Sequence, residues 1–233
     1  MEESKSEGVV SEVKPLDFSI LPQEVIETLL LDGTAEPSLF DEIAHENLHR
    51  PEILNHILNH PRTPELVRQF VAKILKVPAP PIRRIETEDE AEKELRAKTL
   101  LQKIQQMKAS ERIHLARRCG REARSILLHD INKDVVLTVL ENPKITETEI
   151  EMIAKQKTVH EDVLKIIAKK KEWMKNYSIL YAIVLNPRTP PAIALSHIHA
   201  LRLKDLIRIG KNKFVPDVVR SAAKRLVAEK RPT

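Results

Sequence analysis

The chain is 233 residues long, 42% apolar and 31% charged, the make-up of a soluble globular protein of one or two domains. Its single cysteine, Cys119, excludes an internal disulfide and a cysteine-built metal cluster. The net charge of +5 hides a split: residues 1–99 hold 12 Lys and Arg against 20 Asp and Glu, whereas residues 100–233 hold 27 against 14.

In chain order, Met1-Glu2-Glu3-Ser4-Lys5 is acidic and polar, unlike a signal peptide, and residues 1–14 read as a disordered tail. Four short helices are expected at about 22–32, 38–48, 51–59 and 64–76, forming an N-terminal helical module over 15–76. Val77-Pro78-Ala79-Pro80-Pro81 is polyproline-like and runs into the acidic Glu86-Thr87-Glu88-Asp89-Glu90; the segment 77–92 reads as a linker, with a longer helix over about 88–107. Residues 93–233 read as a helical-repeat domain, with helices starting near 110, 121, 133, 147, 160, 176, 190, 203 and 216. Helices of about ten residues, or about 15 Å, are marginal alone and persist only by burying a face against neighbours. Ile150, Ile153 and Ala154, then Val163, Ile166 and Ile167, then Val218, Ala222 and Leu226 supply such faces. The run Tyr177 to Leu185 is apolar nearly all round, which places it deep in the stack, and it is too short to span a bilayer. These features predict a cytoplasmic location.

The joints between helices repeat a phrase. His60-Pro61-Arg62-Thr63-Pro64 recurs as Asn186-Pro187-Arg188-Thr189-Pro190, with Asn142-Pro143-Lys144-Ile145-Thr146 as a degenerate copy. In this reading Asn ends a helix in the left-handed conformation, Thr63 and Thr189 cap the next helix, and Pro64 and Pro190 open it. Thr146 with Glu149 and Thr158 with Glu161 have the spacing of capping boxes. Gly33, Gly120 and Gly210 follow apolar helical patterns and read as helix stops, leaving no glycine-rich phosphate loop.

Longer repeats accompany the joints. Lys155, Lys157, Val159, Val163 and Ile167 match Lys211, Lys213, Val215, Val219 and Ala223 at an offset of 56, and the Asn-Pro joints at 142 and 186 lie 44 apart. The expected fold class is all-α: an α-solenoid of short stacked helices with a smaller N-terminal helical module. The Asn-Pro-Arg-Thr-Pro joints resemble those of the leucine-rich repeat variant, a HEAT-like helical repeat, and the block from Arg121 to Leu226 resembles uncharacterised bacterial repeat proteins. That resemblance implies a stacked helical platform. The cysteine-bound iron–sulfur cluster that some repeat-variant proteins carry is not implied, because this chain has one cysteine.

Charge is the strongest functional signal. Lys165 with Lys169, Lys204 with Arg208, and Arg220 with Lys224 recur at helical spacing, and Lys211 and Lys213 sit at a joint. Stacked in register, these residues would form a basic stripe for an anionic partner, although most charge runs are simply solvated faces. Trp173, Tyr177 and Tyr181, at i, i+4 and i+8, read chiefly as core, with Trp173 the one expected to reach the surface. His45 with His49, and His56 with His60, have i, i+4 spacing, but no HExxH phrase accompanies them and His60 stands where other joints carry Asn; no metal site is expected. No nucleophile elbow, paired-carboxylate phrase or cysteine–histidine phrase is recognisable, so no enzyme activity and no cofactor are expected.

The sequence therefore predicts a non-enzymatic scaffold or adaptor that binds another protein with an acidic surface. The expected contact residues are Lys165, Lys169, Trp173, Lys204, Arg208, Lys211, Arg220 and Lys224. The alternative is a nucleic-acid-binding helical repeat using the same cations against phosphates. No membrane partner is expected.

Overall fold

The computed structural model describes residues 16–80 and 90–230, and every regular element among them is helical. After a 3-10 turn at Phe18–Ile20 come α1 (Gln23–Leu31), α2 (Pro37–Glu46), α3 (Pro51–Asn59) and α4 (Glu65–Leu75). Then follow α5 (Glu90–Gln106), α6 (Ala109–Arg118), α7 (Arg121–Leu127), α8 (Lys133–Glu141), α9 (Glu147–Lys155) and α10 (Glu161–Lys169). The chain finishes with α11 (Lys171–Met174), α12 (Tyr177–Leu185), α13 (Pro191–His197), a 3-10 turn at Ile198–Ala200, α14 (Leu203–Lys211) and α15 (Asp217–Lys230). The tail expected at 1–14 lies outside the described residues, as do 81–89 of the 77–92 linker; α5 already begins within that linker. Helix starts in the second half fall within about a residue of those read from the sequence; the short α11 is additional.

The apolar faces meet as expected. One buried cluster takes in Phe18, Ile43 and Val71 as well as Leu115, Val139 and Val163, so residues on both sides of 81–89 share a core. A second cluster collects Ala194, Ile198, Leu206, Ile209, Val219 and Leu226. Helix α12 belongs to both: Ile179 and Ile183 face the first, Leu180 and Val184 the second. That double burial is why Tyr177–Leu185 is apolar nearly all round.

The joints use hydrogen bonds other than those read from the sequence. Five helices end the same way, at Asp32, His60, Asn142, Asn186 and Asn212. Each side chain accepts from the backbone N–H two residues on: Thr34 at 2.9 Å, Arg62 at 3.3 Å, Lys144 at 3.0 Å, Arg188 at 2.8 Å and Phe214 at 3.0 Å. Each backbone carbonyl accepts from the N–H three residues on, at 2.9–3.3 Å. These are Asx-type turns on an extended residue. The left-handed reading of Asn142 and Asn186 is therefore corrected: their φ values are −61° and −71°. The following proline explains it, since a residue before proline is driven to extended backbone.

The Asn amides also reach other helices. Asn142 Nδ2 donates to the carbonyls of Ala116 and Cys119 at the end of α6, and Asn186 Nδ2 to those of Ala154 and Gln156 at the end of α9. Thr63 and Thr189 do not cap the next helix. Their hydroxyls turn back to the carbonyls of Ile57 and Ile183, at 2.5 and 2.6 Å, satisfying orphan acceptors of the helix just ended.

The Thr146–Glu149 capping box is present, whereas Thr158 is displaced as a cap by His160, whose ring nitrogen accepts from Asp162 N–H. Gly33 and Gly120 do follow helix ends, just past the caps Asp32 and Cys119, but neither is left-handed, and Gly210 lies within α14. The only positive φ among the described residues is at Lys76, which ends α4. Gly120 also precedes α7, where a Cβ would lie 2.5 Å from Thr34 Oγ1 and 2.8 Å from the backbone nitrogen of Ala35.

Polar groups close the remaining gaps in the core. Arg124 and Glu149, 4% and 2% exposed, form a two-pronged ion pair at 3.0 and 3.4 Å, and Arg124 also donates to the Cys119 carbonyl. Its Arg124 partner and the Thr146 N–H and hydroxyl lower the Glu149 pKa against the opposing effect of desolvation. Acidic residues of the first four helices meet cations of the middle ones: Glu27 with Lys103, Glu42 with Arg118 and Glu36 with Lys144. Asp32 accepts from Ala123 N–H at 2.9 Å.

Candidate partner-binding surface

Five of the eight cations and aromatics singled out in the sequence lie on the last two helices. Lys204, Arg208 and Lys211 are on α14, and Arg220 and Lys224 on α15. The two helices meet at Gly210, where a Cβ would approach Lys224 Cγ to 3.1 Å. Between them runs a groove of about 210 Å³ lined by Leu206, Ile207, Gly210 and Val227, with Lys211 and Lys224 beside it. Lys204 shares the α14 face of Ile207 and Lys211 by its i, i+3, i+7 spacing.

The charges on this pair are unequal in availability. Arg208 reaches Asp205 at 3.7 Å, and Arg220 pairs with Asp217. Lys204, Lys211 and Lys224 are exposed and have no ion pair among the described residues. Asp205 is itself held by the Tyr177 hydroxyl, which donates to it at 2.5 Å and accepts from Arg202 N–H at 3.1 Å. This arrangement raises the Tyr177 pKa, through desolvation first and the Asp205 bond second. It also ties the start of α14 to the start of α12.

The other three predicted contacts lie elsewhere. Lys165, on α10, donates to Glu161 at 2.7 Å and Asp162 at 3.1 Å, and Asp162 also takes Lys133 at 3.2 Å. Two cations face two carboxylates, so this patch is locally neutral, and the Glu161 and Asp162 bonds push the Lys165 pKa upward. Lys169 is exposed at the end of α10. Trp173 is half-buried against the first core, with the Lys170 ammonium 4.1 Å from its ring centroid. Tyr177 and Tyr181 pack on the second core.

One residue of this end escaped the sequence reading. Phe214 is 70% exposed, and the Lys157 ammonium sits 4.5 Å from its ring centroid. Aligning the five joints exposes the signal: where Phe214 stands, the other joints carry Thr34, Arg62, Lys144 and Arg188. Val218, four residues on, is 59% exposed.

One histidine of each pair packs on an aromatic ring. His45 stacks on Phe70 at 4.3 Å, and His60 tilts against Phe40 at 5.2 Å and lies 6.0 Å from His56. Burial and then repulsion from His56, Arg62 and Arg68 lower the His60 pKa to about 4. Cys119 is buried, and its thiol pKa is pushed well above the usual range by desolvation. No helix among the described residues is long and apolar enough to cross a membrane. No protein-family model, no curated protein and no solved structure matches the chain.

Proposed function

We propose that this protein is a non-enzymatic scaffold or adaptor, an α-solenoid of the HEAT-like kind, which binds an acidic segment of another protein on the α14–α15 face. The observation that carries the reading is the set of unmatched charges there. Lys204, Lys211 and Lys224 lack carboxylate partners among the described residues, while Lys165, Arg208 and Arg220 are each offset locally. Five recurrences of one turn joint support serial stacking, because each turns the chain from one short helix to the next with the same local bonds. A stack of this kind suits docking, since each unit adds contact area without refolding its neighbours.

A protein partner fits better than nucleic acid. Single-strand binding draws on aromatic faces open to bases; Trp173 is half-buried beneath Lys170, Tyr177 is engaged by Asp205 and Arg202, and the exposed Phe214 ring carries the Lys157 ammonium over it. The test is a fluorescence-anisotropy titration of the full chain with a labelled glutamate-rich peptide and, separately, with duplex DNA. Changing Lys204, Lys211 and Lys224 together to Glu is expected to weaken peptide binding by about tenfold or more, as loss of complementary charge requires. The helical circular-dichroism signal should be retained. Tighter binding to DNA than to peptide, falling steeply with salt, would replace this reading with the nucleic-acid one.

A further inference from the structure

The α14–α15 groove has an apolar floor as well as charged edges, and the two features have separate causes. Gly210 lies within a helix, where glycine is less favourable than alanine by about 0.5–1 kcal/mol. Its use is steric: the Lys224 stem lies across α14 where a side chain at 210 would stand. That leaves room for the stem beside the groove lined by Leu206, Ile207 and Val227. Lysine stems commonly cover apolar surface with the charge in water. Here the stem lies on the glycine, and the apolar groove beside it stays open.

The two ammonium groups are also unmatched by the local sequence. Several helical lysines meet a carboxylate four residues away, as Lys98 does Glu94 at 2.8 Å and Lys165 does Glu161 at 2.7 Å. The residues three and four away from Lys211 are Ile207, Arg208, Phe214 and Val215; those from Lys224 are Arg220, Ser221, Val227 and Ala228. No acid lies three or four residues from either lysine on its own helix, so a carboxylate that meets these cations would come from another segment. An apolar groove lined by two such cations is complementary to one kind of segment.

Resting on the acidic-partner reading above, we propose that this groove seats one aliphatic side chain from a partner-protein segment that carries carboxylates close to it. The aliphatic side chain supplies affinity by leaving water, and Lys211 and Lys224 select for the flanking acids.

The test uses the full chain and two labelled glutamate-rich peptides, identical except for a central Leu or Ser. The Leu peptide is expected to bind about tenfold or more tightly than the Ser peptide, the range that burial of a few methylene groups allows. Ile207→Gln should bring the two affinities together, weakening the Leu peptide more than the Ser peptide. Lys211→Ala with Lys224→Ala should weaken both peptides. Thermal melts of each variant establish that the fold is kept.

Equal affinity for the two peptides in the parent protein, or a Leu preference untouched by Ile207→Gln, overturns the groove proposal. If both peptides bind equally and both are lost on charge reversal at 204, 211 and 224, the acidic-partner reading survives without the groove. If neither peptide binds, both readings fall. Displacement of the Leu peptide by phosphatidylserine vesicles more effectively than by unlabelled peptide would assign the site to a membrane surface and overturn the proposal.

Discussion

At the scale of single residues, His60 shows how a joint position carries a pH signature. Its Nδ1 does the work of the Asn side chain at other joints, accepting from Arg62 N–H, while the ring packs on Phe40. The folded chain holds it neutral, with a pKa of about 4 against the ordinary 6.5. Between those values the unfolded chain binds the extra proton. Stability from this group is therefore full above pH 6.5 and lost as pH falls towards 4, by up to about 3 kcal/mol. His60→Asn keeps the acceptor and removes the titration. Urea unfolding at neutral pH and near pH ~4.5 should show the variant losing about 1–2 kcal/mol less than the parent protein. The substitution was legible in sequence as a joint residue; the depressed pKa was not, because it arises from Phe40, His56 and Arg68, which only folding brings around the ring.

Among elements, the joints decide how helices are set against each other. Asn186 donates to two carbonyls of the α9 end, at 2.7 and 2.8 Å, and accepts from Arg188 N–H. It is 4% exposed, so its removal strands buried acceptors. Asn186→Ala is expected to cost about 2–4 kcal/mol, at about 1–3 kcal/mol for each stranded group less what water recovers. In differential scanning calorimetry that corresponds to a fall in Tm of roughly 5–12 °C for a chain of this size. Helix positions were readable because apolar spacing, proline and Asn act over a few residues. The amide bonds of Asn186 were not readable, because they end on the carbonyls of Ala154 and Gln156 at the end of α9, far off in sequence. The extended backbone of Asn142 and Asn186 was readable after all, from the prolines at 143 and 187.

For the whole molecule, α12 joins two cores, and the acidic N-terminal helices spend charge on Lys103, Arg118 and Lys144 rather than on the cations of α14 and α15 among the described residues. The set of candidate cations was legible from helical spacing. Their division into matched and unmatched was not, since Glu161, Asp162 and Lys133 come together from two helices around Lys165. Nor was the apolar groove, which needs Gly210 and Lys224 from separate elements in contact. The most direct check on where this protein engages an acidic partner is amide hydrogen exchange of the full chain with and without the glutamate-rich Leu peptide. Slowed exchange should concentrate in residues 203–230. Protection centred on α10 and α11 with 203–230 unchanged, or no protection under saturating peptide, would contradict the assignment.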